Sequence, residues 1–203
     1  MLHYELKGMT NMMKCSLSLI VLFSSVLFCS CGSHAKPAPK PVVTKKPPVV
    51  NKSSTAVLAK KVLHHPKINL YRKQVSGVVD KASSYHNIAS TAAGYSARRS
   101  VYGTAPGGYT KLNKRMLETM LYLANVKGYR FNVTSIAGGS HSKTSRHYVG
   151  TAFDVSMING KRVNSSNPYY RTFMSICRAR GATEVLGPGD RGHSSHVHIA
   201  WPR

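Results

Sequence analysis

Two short segments in the C-terminal part of the sequence combine histidine and aspartate side chains. Residues 145–154 read SRHYVGTAFD, and residues 193–198 read HSSHVH. Side chains alternate between the two faces of a strand. If both segments form strands, Asp154 points to one face of the first, and His196 and His198 share one face of the second.

These residue types indicate a metal site. Zinc accepts histidine nitrogen and aspartate oxygen, and a catalytic zinc site uses three protein ligands and leaves one position open. His147, Asp154 and one histidine of the His196/His198 pair would supply three ligands. The residues alone do not choose between those two histidines.

The charge balance predicts an anionic partner. The sequence of 203 residues contains 29 Lys and Arg residues against 6 Asp and Glu residues, a formal charge of +23. Such a charge suits nucleic acid, acidic lipid head groups or an acidic cell-wall polymer. The basic residues are not interleaved with aromatic residues and form no known nucleic-acid motif, so we expect no specific nucleic-acid partner.

The N-terminal segment is typical of an exported protein. Lys14 precedes an apolar run at residues 16–28, which is shorter than the ~20 residues of a membrane span. The run is followed by Ser30 and Cys31, a pair similar to the end of a bacterial lipobox with Cys31 as the lipidated residue. We therefore expect an exported lipoprotein, anchored to the membrane through Cys31 and facing the periplasm or cell wall. Simple signal cleavage is the alternative.

The remaining sequence is predicted to contain a tether and one folded domain. Residues 1–31 form the signal peptide with its lipobox, residues 32–67 a Lys/Pro-rich tether, and residues 68–203 the domain. Proline-rich segments favour extended polyproline II conformation. Cys177 is the only cysteine of the domain, so no disulfide can form within it, and we expect a buried thiol.

Apolar periodicity and turn residues predict the elements of the domain. Two helices are expected, one at residues 112–126 and one opening at Asn167-Pro168, with Asn167 as the N-cap and Pro168 at the first helical position. A weaker pattern suggests a further helix at residues 71–85, and residues 96–109 are expected to form a loop. Strands are predicted at residues 131–136, around Asp154, at residues 184–187 and at residues 196–201.

The two histidine segments resemble a known family. The pattern Ser-x-His-x-x-Gly-x-Ala-x-Asp followed by His-x-His is similar to that of the LAS superfamily of zinc metallopeptidases, which includes D-Ala-D-Ala carboxypeptidases, murein endopeptidases and the zinc domain of hedgehog proteins. The matching residues are Ser145, His147, Gly150, Ala152, Asp154, His196 and His198. The resemblance spans roughly residues 112–202. It implies an α+β fold in which a small antiparallel sheet, flanked by helices, carries one zinc ion. It also implies cleavage of peptidoglycan stem-peptide bonds adjoining D-Ala.

The resemblance also implies roles for individual residues. His147, Asp154 and His198 would be the zinc ligands, His193 the proton acceptor and His196 the oxyanion stabiliser, although the last two roles could be exchanged. If His196 were the ligand instead, His193 would take the position of the catalytic acid.

The sequence departs from the family pattern in two places. Ser195 occupies the position where other branches have Glu or Asp, and the family's substrate-positioning arginine has no clear match. Arg98, Arg99 or Arg146 could substitute for that arginine. The missing carboxylate leaves a second hypothesis, a non-catalytic, zinc-stabilised module that binds the cell wall.

Overall fold

The computed structural model describes residues 54–203. The predicted signal peptide, Cys31 and residues 32–53 of the predicted tether lie outside the described residues. Within them, no helix is both long enough and apolar enough to cross a membrane.

The described residues combine helices with a small sheet. The helices are α1 (Ser54–Leu63), α2 (Ser84–Ala92), α3 (Lys114–Asn125) and α4 (Tyr170–Ala179), with a short 3₁₀ helix at Arg146–Val149. The strands are β1 (Ile68–Leu70), β2 (Ala97–Arg98), β3 (Tyr109–Thr110), β4 (Phe131–Ser135), β5 (Ala152–Ile158), β6 (Lys161–Arg162), β7 (Glu184–Leu186) and β8 (Val197–Ala200). The predicted α+β class is confirmed.

The main sheet has β5 near its centre. Its strand order is β1-β4-β5-β8-β7, and β6 pairs with β5. All these pairings are antiparallel except that of β1 with β4, which is parallel. A separate two-stranded sheet of β2 and β3 lies in the segment predicted as a loop.

Helix α3 confirms the strongest prediction from periodicity. The side chain of Asn113 caps its N-terminus by accepting a hydrogen bond from the backbone N–H of Met116. Met116, Met120 and Leu123 are fully buried in the core. The chain leaves the helix through Gly128, whose φ of 74° is in the left-handed region that glycine adopts without steric cost.

Helix α1 corrects the boundary between tether and domain. It lies within residues 32–67, and Ala59 and Val62 are fully buried in the core. The folded domain therefore includes residues from Ser54 onward and does not begin at Ile68. Two adjacent lysines, Lys60 and Lys61, continue the basic character of the preceding segment and hide the helical spacing of the buried residues.

The predicted helix at residues 71–85 is wrong. Helix α2 starts only at Ser84, and the Ser83 side chain caps it by accepting from the backbone N–H of His86. The segment before it is interrupted by Gly77 with a φ of 84°. Val75 and Val79, which suggested an apolar helix face, are exposed.

The prediction that Asn167 is an N-cap is also wrong. Helix α4 begins at Tyr170, and Asn167 is buried ahead of it. Its side-chain oxygen accepts from the N–H of Tyr169, and its amide nitrogen donates to the carbonyls of Lys161 and Arg162. Asn167 thus fixes the approach of α4 to strand β6. Cys177, on α4, is a fully buried free thiol, as predicted.

Candidate metal centre

Three side chains predicted as metal ligands converge on one point. Nε2 of His147 lies 3.2 Å from Oδ1 of Asp154 and 3.1 Å from Nδ1 of His198. Nδ1 of His198 lies 2.8 Å from the same Asp154 oxygen. All three residues are buried.

The sheet and the 3₁₀ helix bring these residues together. Asp154 on β5 and His198 on β8 are direct partners across the antiparallel pairing of the two strands. His147 lies on the 3₁₀ helix just before β5, and this helix ends at Gly150 with a φ of 74°. A Cβ atom on Gly150 would lie 2.2 Å from the carbonyl oxygen of Lys111. Glycine is therefore required here both by backbone conformation and by close approach.

Contacts on the outer side of each imidazole determine which nitrogen carries hydrogen. Nδ1 of His147 donates to the carbonyl oxygen of Ile136 at 2.6 Å, so its Nε2 presents a lone pair to the centre. Nε2 of His198 is buried 3.0 Å from Oε1 of Glu184. This contact lacks the alignment of a hydrogen bond, so we attribute its effect to charge attraction. A carboxylate favours hydrogen on the facing nitrogen, which leaves Nδ1 of His198 free for the centre.

The resulting geometry fits a small metal cation. Two imidazole lone pairs and one carboxylate oxygen face each other and repel unless a proton or a cation lies between them. Ligand atoms bound at 2.0–2.1 Å in tetrahedral geometry are separated by about 3.3 Å, close to the separations in this triad.

The electrostatics of the triad favour positive charge beside Asp154. Burial alone would raise the pKa of Asp154, but the neighbouring His147 and His198 lower that pKa well below its usual range. Burial likewise opposes a charged His198, but its contacts with Asp154 and Glu184 outweigh burial and raise its pKa. A cation would bind to a site with these properties only in competition with protons.

His141 is a fourth group at the centre, and sequence reasoning missed it. His141, His147 and Asp154 offer ligand atoms within 4.8 Å of one another, and this group could hold a metal ion. However, the His141 ring stacks on that of His147 with centroids 4.0 Å apart and planes inclined by 15°. Lone pairs lie in the ring plane, so two stacked imidazoles do not aim at one point. We therefore assign the inner set to His147, Asp154 and His198.

Two further contacts indicate that His141 supports His147. Nε2 of His141 donates to the carbonyl oxygen of Gly138 at 3.0 Å, which occupies that nitrogen. Burial, together with the adjacent His147, lowers the pKa of His141 to about 4, so its ring is neutral at pH 7. A neutral stacked ring restricts the orientation of His147 without adding charge.

A second charged pair lies behind His198. The Arg146 Nε atom is 3.9 Å from Oε2 of Glu184, and its Nη1 atom donates to the carbonyl oxygen of Trp201. Glu184 was not predicted as a site residue. It lies on β7, and the pairing of Leu186 with His198 brings this strand alongside β8.

Asp154 is the member of the triad that lines a cavity of about 520 Å³. Asp154 and His196 line it together with His141, Ser156 and Arg162. Burial lowers the pKa of the half-buried His196, which favours its neutral form. The cavity is thus lined by both polar and apolar side chains, and it reaches Asp154, one of the three predicted metal ligands.

His193 lies beside His196 and next to the triad. Its ring centroid is 4.9 Å from that of His196 and 5.9 Å from that of His198. Nδ1 of His193 donates to the carbonyl oxygen of Arg191 at 2.8 Å, which leaves Nε2 able to accept a proton. The two predicted catalytic histidines therefore lie together on one side of the centre.

The arginines considered as substrate-positioning groups lie elsewhere. Neither Arg98, Arg99 nor Arg146 lines the cavity described above. Arg99 donates to the carbonyl oxygen of Tyr148, and Arg146 is engaged with Glu184 and Trp201. Arg162 is the arginine at the cavity, and it was not among the predicted site residues.

The chain matches no protein-family model, no curated protein and no solved structure. Its function is therefore inferred from the sequence motifs and from the geometry of the centre.

Proposed function

We propose that this chain is a zinc-dependent peptidase of the LAS type that hydrolyses peptidoglycan stem-peptide bonds adjoining D-Ala. The observation that carries the proposal is the convergence of His147, Asp154 and His198, whose inner atoms lie within 3.2 Å of one another beside a cavity. Two neutral nitrogens and one carboxylate oxygen form a donor set that suits zinc.

The histidines next to the triad supply the proton transfers of such a reaction. Bound zinc would contribute Lewis-acid activation of water and of the substrate carbonyl near neutral pH. Nε2 of His193, left free by the bond from Nδ1 to Arg191, accepts the proton of the attacking water and returns it to the leaving amine. His196, which lines the cavity as a neutral imidazole, donates its N–H to the oxygen on which negative charge develops.

The proposed location follows from the sequence. A lipidated Cys31 would hold the chain at a membrane, and the Lys/Pro-rich segment would extend the domain toward the cell wall. The charge of +23 would concentrate the protein on an anionic wall. The proposed partners are therefore the peptidoglycan stem peptides and, through Cys31, the membrane.

Defined muropeptides test the proposal. The zinc-loaded protein is incubated with crosslinked dimers and with pentapeptide monomers, and the products are identified by mass spectrometry. Release of D-Ala identifies a carboxypeptidase, and conversion of dimers to monomers identifies an endopeptidase. Cleavage only between L-Ala and D-Glu, or no cleavage at all, contradicts the proposal.

Two variants test the assigned roles. His193→Ala removes the proton acceptor, and we expect turnover to fall about 10²–10⁴-fold. His196→Ala removes the donor to the oxyanion, and we expect a loss of about 10²–10³-fold. Both variants should retain a full zinc complement because neither residue belongs to the triad. Loss of zinc from either variant would contradict its assigned role.

One feature favours the second function, a zinc-stabilised module that binds the wall without cutting it. Ser195 provides no carboxylate where other branches of the family have one. Under this alternative the wild-type protein binds zinc and sediments with purified wall but hydrolyses no muropeptide. Measurable hydrolysis that requires His193 excludes it.

A further inference from the structure

The β5–β6 hairpin forms part of the cavity wall. Ser156, Met157, Arg162 and Val163 all line the cavity. Arg162 pairs with Met157 across the hairpin. Ser156 follows Asp154 by two residues on the same strand, a step of roughly 7 Å. This part of the wall therefore lies a short distance along β5 from the metal centre.

Ser156 carries a buried hydroxyl group that has no partner among the described residues. Its Oγ atom is buried and makes no hydrogen bond within the described residues, although the residue lines the cavity. Its backbone carbonyl oxygen is already used, since it accepts from the N–H of Val163 at 2.8 Å. Buried polar atoms are nearly always hydrogen-bonded, so a free hydroxyl beside a cavity indicates a place for a polar ligand group.

Arg162 is an exposed residue that lines the same cavity. Among the described residues that line the cavity, it is the only lysine or arginine, and Asp154 is the only carboxylate. Arg162 takes part in none of the ion pairs of residues 54–203. Its backbone is held in place because its carbonyl oxygen accepts from the buried Asn167 side chain.

The chemistry of these two groups points to a carboxylate ligand. The guanidinium fork matches the two oxygens of a carboxylate, and a charge-assisted pair of this kind is stronger than a neutral hydrogen bond. The hydroxyl of Ser156 can donate to one of the same oxygens. Asp154 forms its ion-pair contacts with His147 and His198 and none with Arg162 among the described residues.

We propose that Arg162 and Ser156 form a subsite that binds a carboxylate group of the substrate. An extended peptide spans ~3.3–3.6 Å per residue, so a group bound roughly 7 Å along β5 lies within about two residues of the bond that is cut. The preferred substrate is therefore a peptide with a free carboxylate close to the scissile bond. This inference rests on the proposed peptidase function for the reaction, but the binding of the carboxylate can be measured separately.

The test compares two probes that differ only in this group. Diacetyl-L-Lys-D-Ala-D-Ala is used as the free acid and as the C-terminal carboxamide. Their affinities for the zinc-loaded full chain carrying His193→Ala, in which turnover is slow, are measured by calorimetry. We expect the acid to bind about tenfold more tightly than the amide.

Variants of the β5–β6 hairpin test whether Arg162 and Ser156 cause the tighter binding of the acid probe. Arg162→Gln should bring the affinity ratio close to one, and Ser156→Ala should reduce it partly. Lys161→Gln is the matched control, because it removes the same charge from the adjacent position of β6, and Lys161 does not line the cavity. Equal or undetectable binding of the two probes overturns the subsite. The subsite is also overturned if the preference for the acid persists in Arg162→Gln. The same holds if Lys161→Gln abolishes the preference as fully as Arg162→Gln does.

Hydrolysis of the same probes by the protein with His193 intact separates this inference from the proposed function. An acid preference that depends on Arg162, without hydrolysis of these probes or of muropeptides, supports the subsite and overturns the peptidase. Hydrolysis of acid and amide at the same rate, with equal affinities, supports the peptidase and overturns the subsite.

Discussion

Replacing Glu184 by alanine tests how the imidazole of His198 is held for metal binding. Oε1 of Glu184 lies 3.0 Å from Nε2 of His198, and Oε2 lies 3.9 Å from Nε of Arg146. A carboxylate in this position favours the tautomer with Nδ1 free and increases the basicity of that nitrogen. Alanine removes both effects without altering any of the three ligand atoms.

The expected loss can be estimated from the exposure of the contact. Removing a carboxylate partner of a ligating histidine typically weakens metal affinity by about 10–100-fold. The side chain of Glu184 is 43% exposed and that of His198 only 8%. Solvent screens the carboxylate, so we expect the lower end of that range, about tenfold or ~1.4 kcal/mol. Glu184→Gln also removes the charge through which the contact acts, so it should show a loss close to that of Glu184→Ala.

Zinc affinity is measured by competition with a chromophoric chelator. Glu118→Ala is the matched control, since Glu118 carries the same charge, is 37% exposed and pairs with Lys114 on α3. It should bind zinc with unchanged affinity. Circular dichroism checks that both variants are folded. Wild-type affinity in folded Glu184→Ala, or an equal loss in Glu118→Ala, would refute the assigned role.

Four other predictions concern the metal, the core and the charge. His198→Ala should lose its zinc, whereas His196→Ala should keep it, and a full complement in His198→Ala by elemental analysis would contradict the ligand set. Burial raises the pKa of the Cys177 thiol, so iodoacetamide at pH 8 should label the Cys177 peptide only in urea; rapid labelling of the native protein would argue against this packing. Phe173 is fully buried and makes edge contacts with two aromatic rings, so Phe173→Ala should lower the free energy of unfolding by about 3–5 kcal/mol in urea titrations, and a loss below about 1 kcal/mol would be inconsistent with this core position. Added salt should weaken binding to purified wall, and salt-independent sedimentation would exclude an electrostatic contribution.

Local patterns in the sequence predicted the two strands that carry Asp154 and His198, but not the 3₁₀ helix that carries His147. The alternation around Asp154 and His198 gives two strands, and the structure has β5 and β8 at these positions. The spacing of Met116 and Met120 gives α3. These patterns are informative because buried faces repeat with the period of the element that forms them.

Features that depend on distant parts of the chain were not predictable in this way. Glu184 faces His198 only because β7 pairs with β8, and a single acidic residue in a short strand gives no sign of that partner. Helix α1 buries Ala56, Ala59 and Val62 but exposes Val57, so only the core that it forms with later parts of the chain shows which side is buried. Valines at 75, 78 and 79 suggested a buried helix face, but all three are exposed. The local spacing of apolar residues does not show whether a segment packs against the core.

The position of β8 links completion of the chain to the existence of the metal centre. β8 lies between β5 and β7, although it follows both in sequence, and it supplies His198 opposite Asp154. During synthesis from the N-terminus, His147 and Asp154 are made before their third partner exists. A polypeptide that is released or clipped ahead of Val197 lacks His198 and therefore the complete set of three ligands. If the protein cuts the cell wall as we propose, the order of synthesis itself keeps unfinished chains inactive.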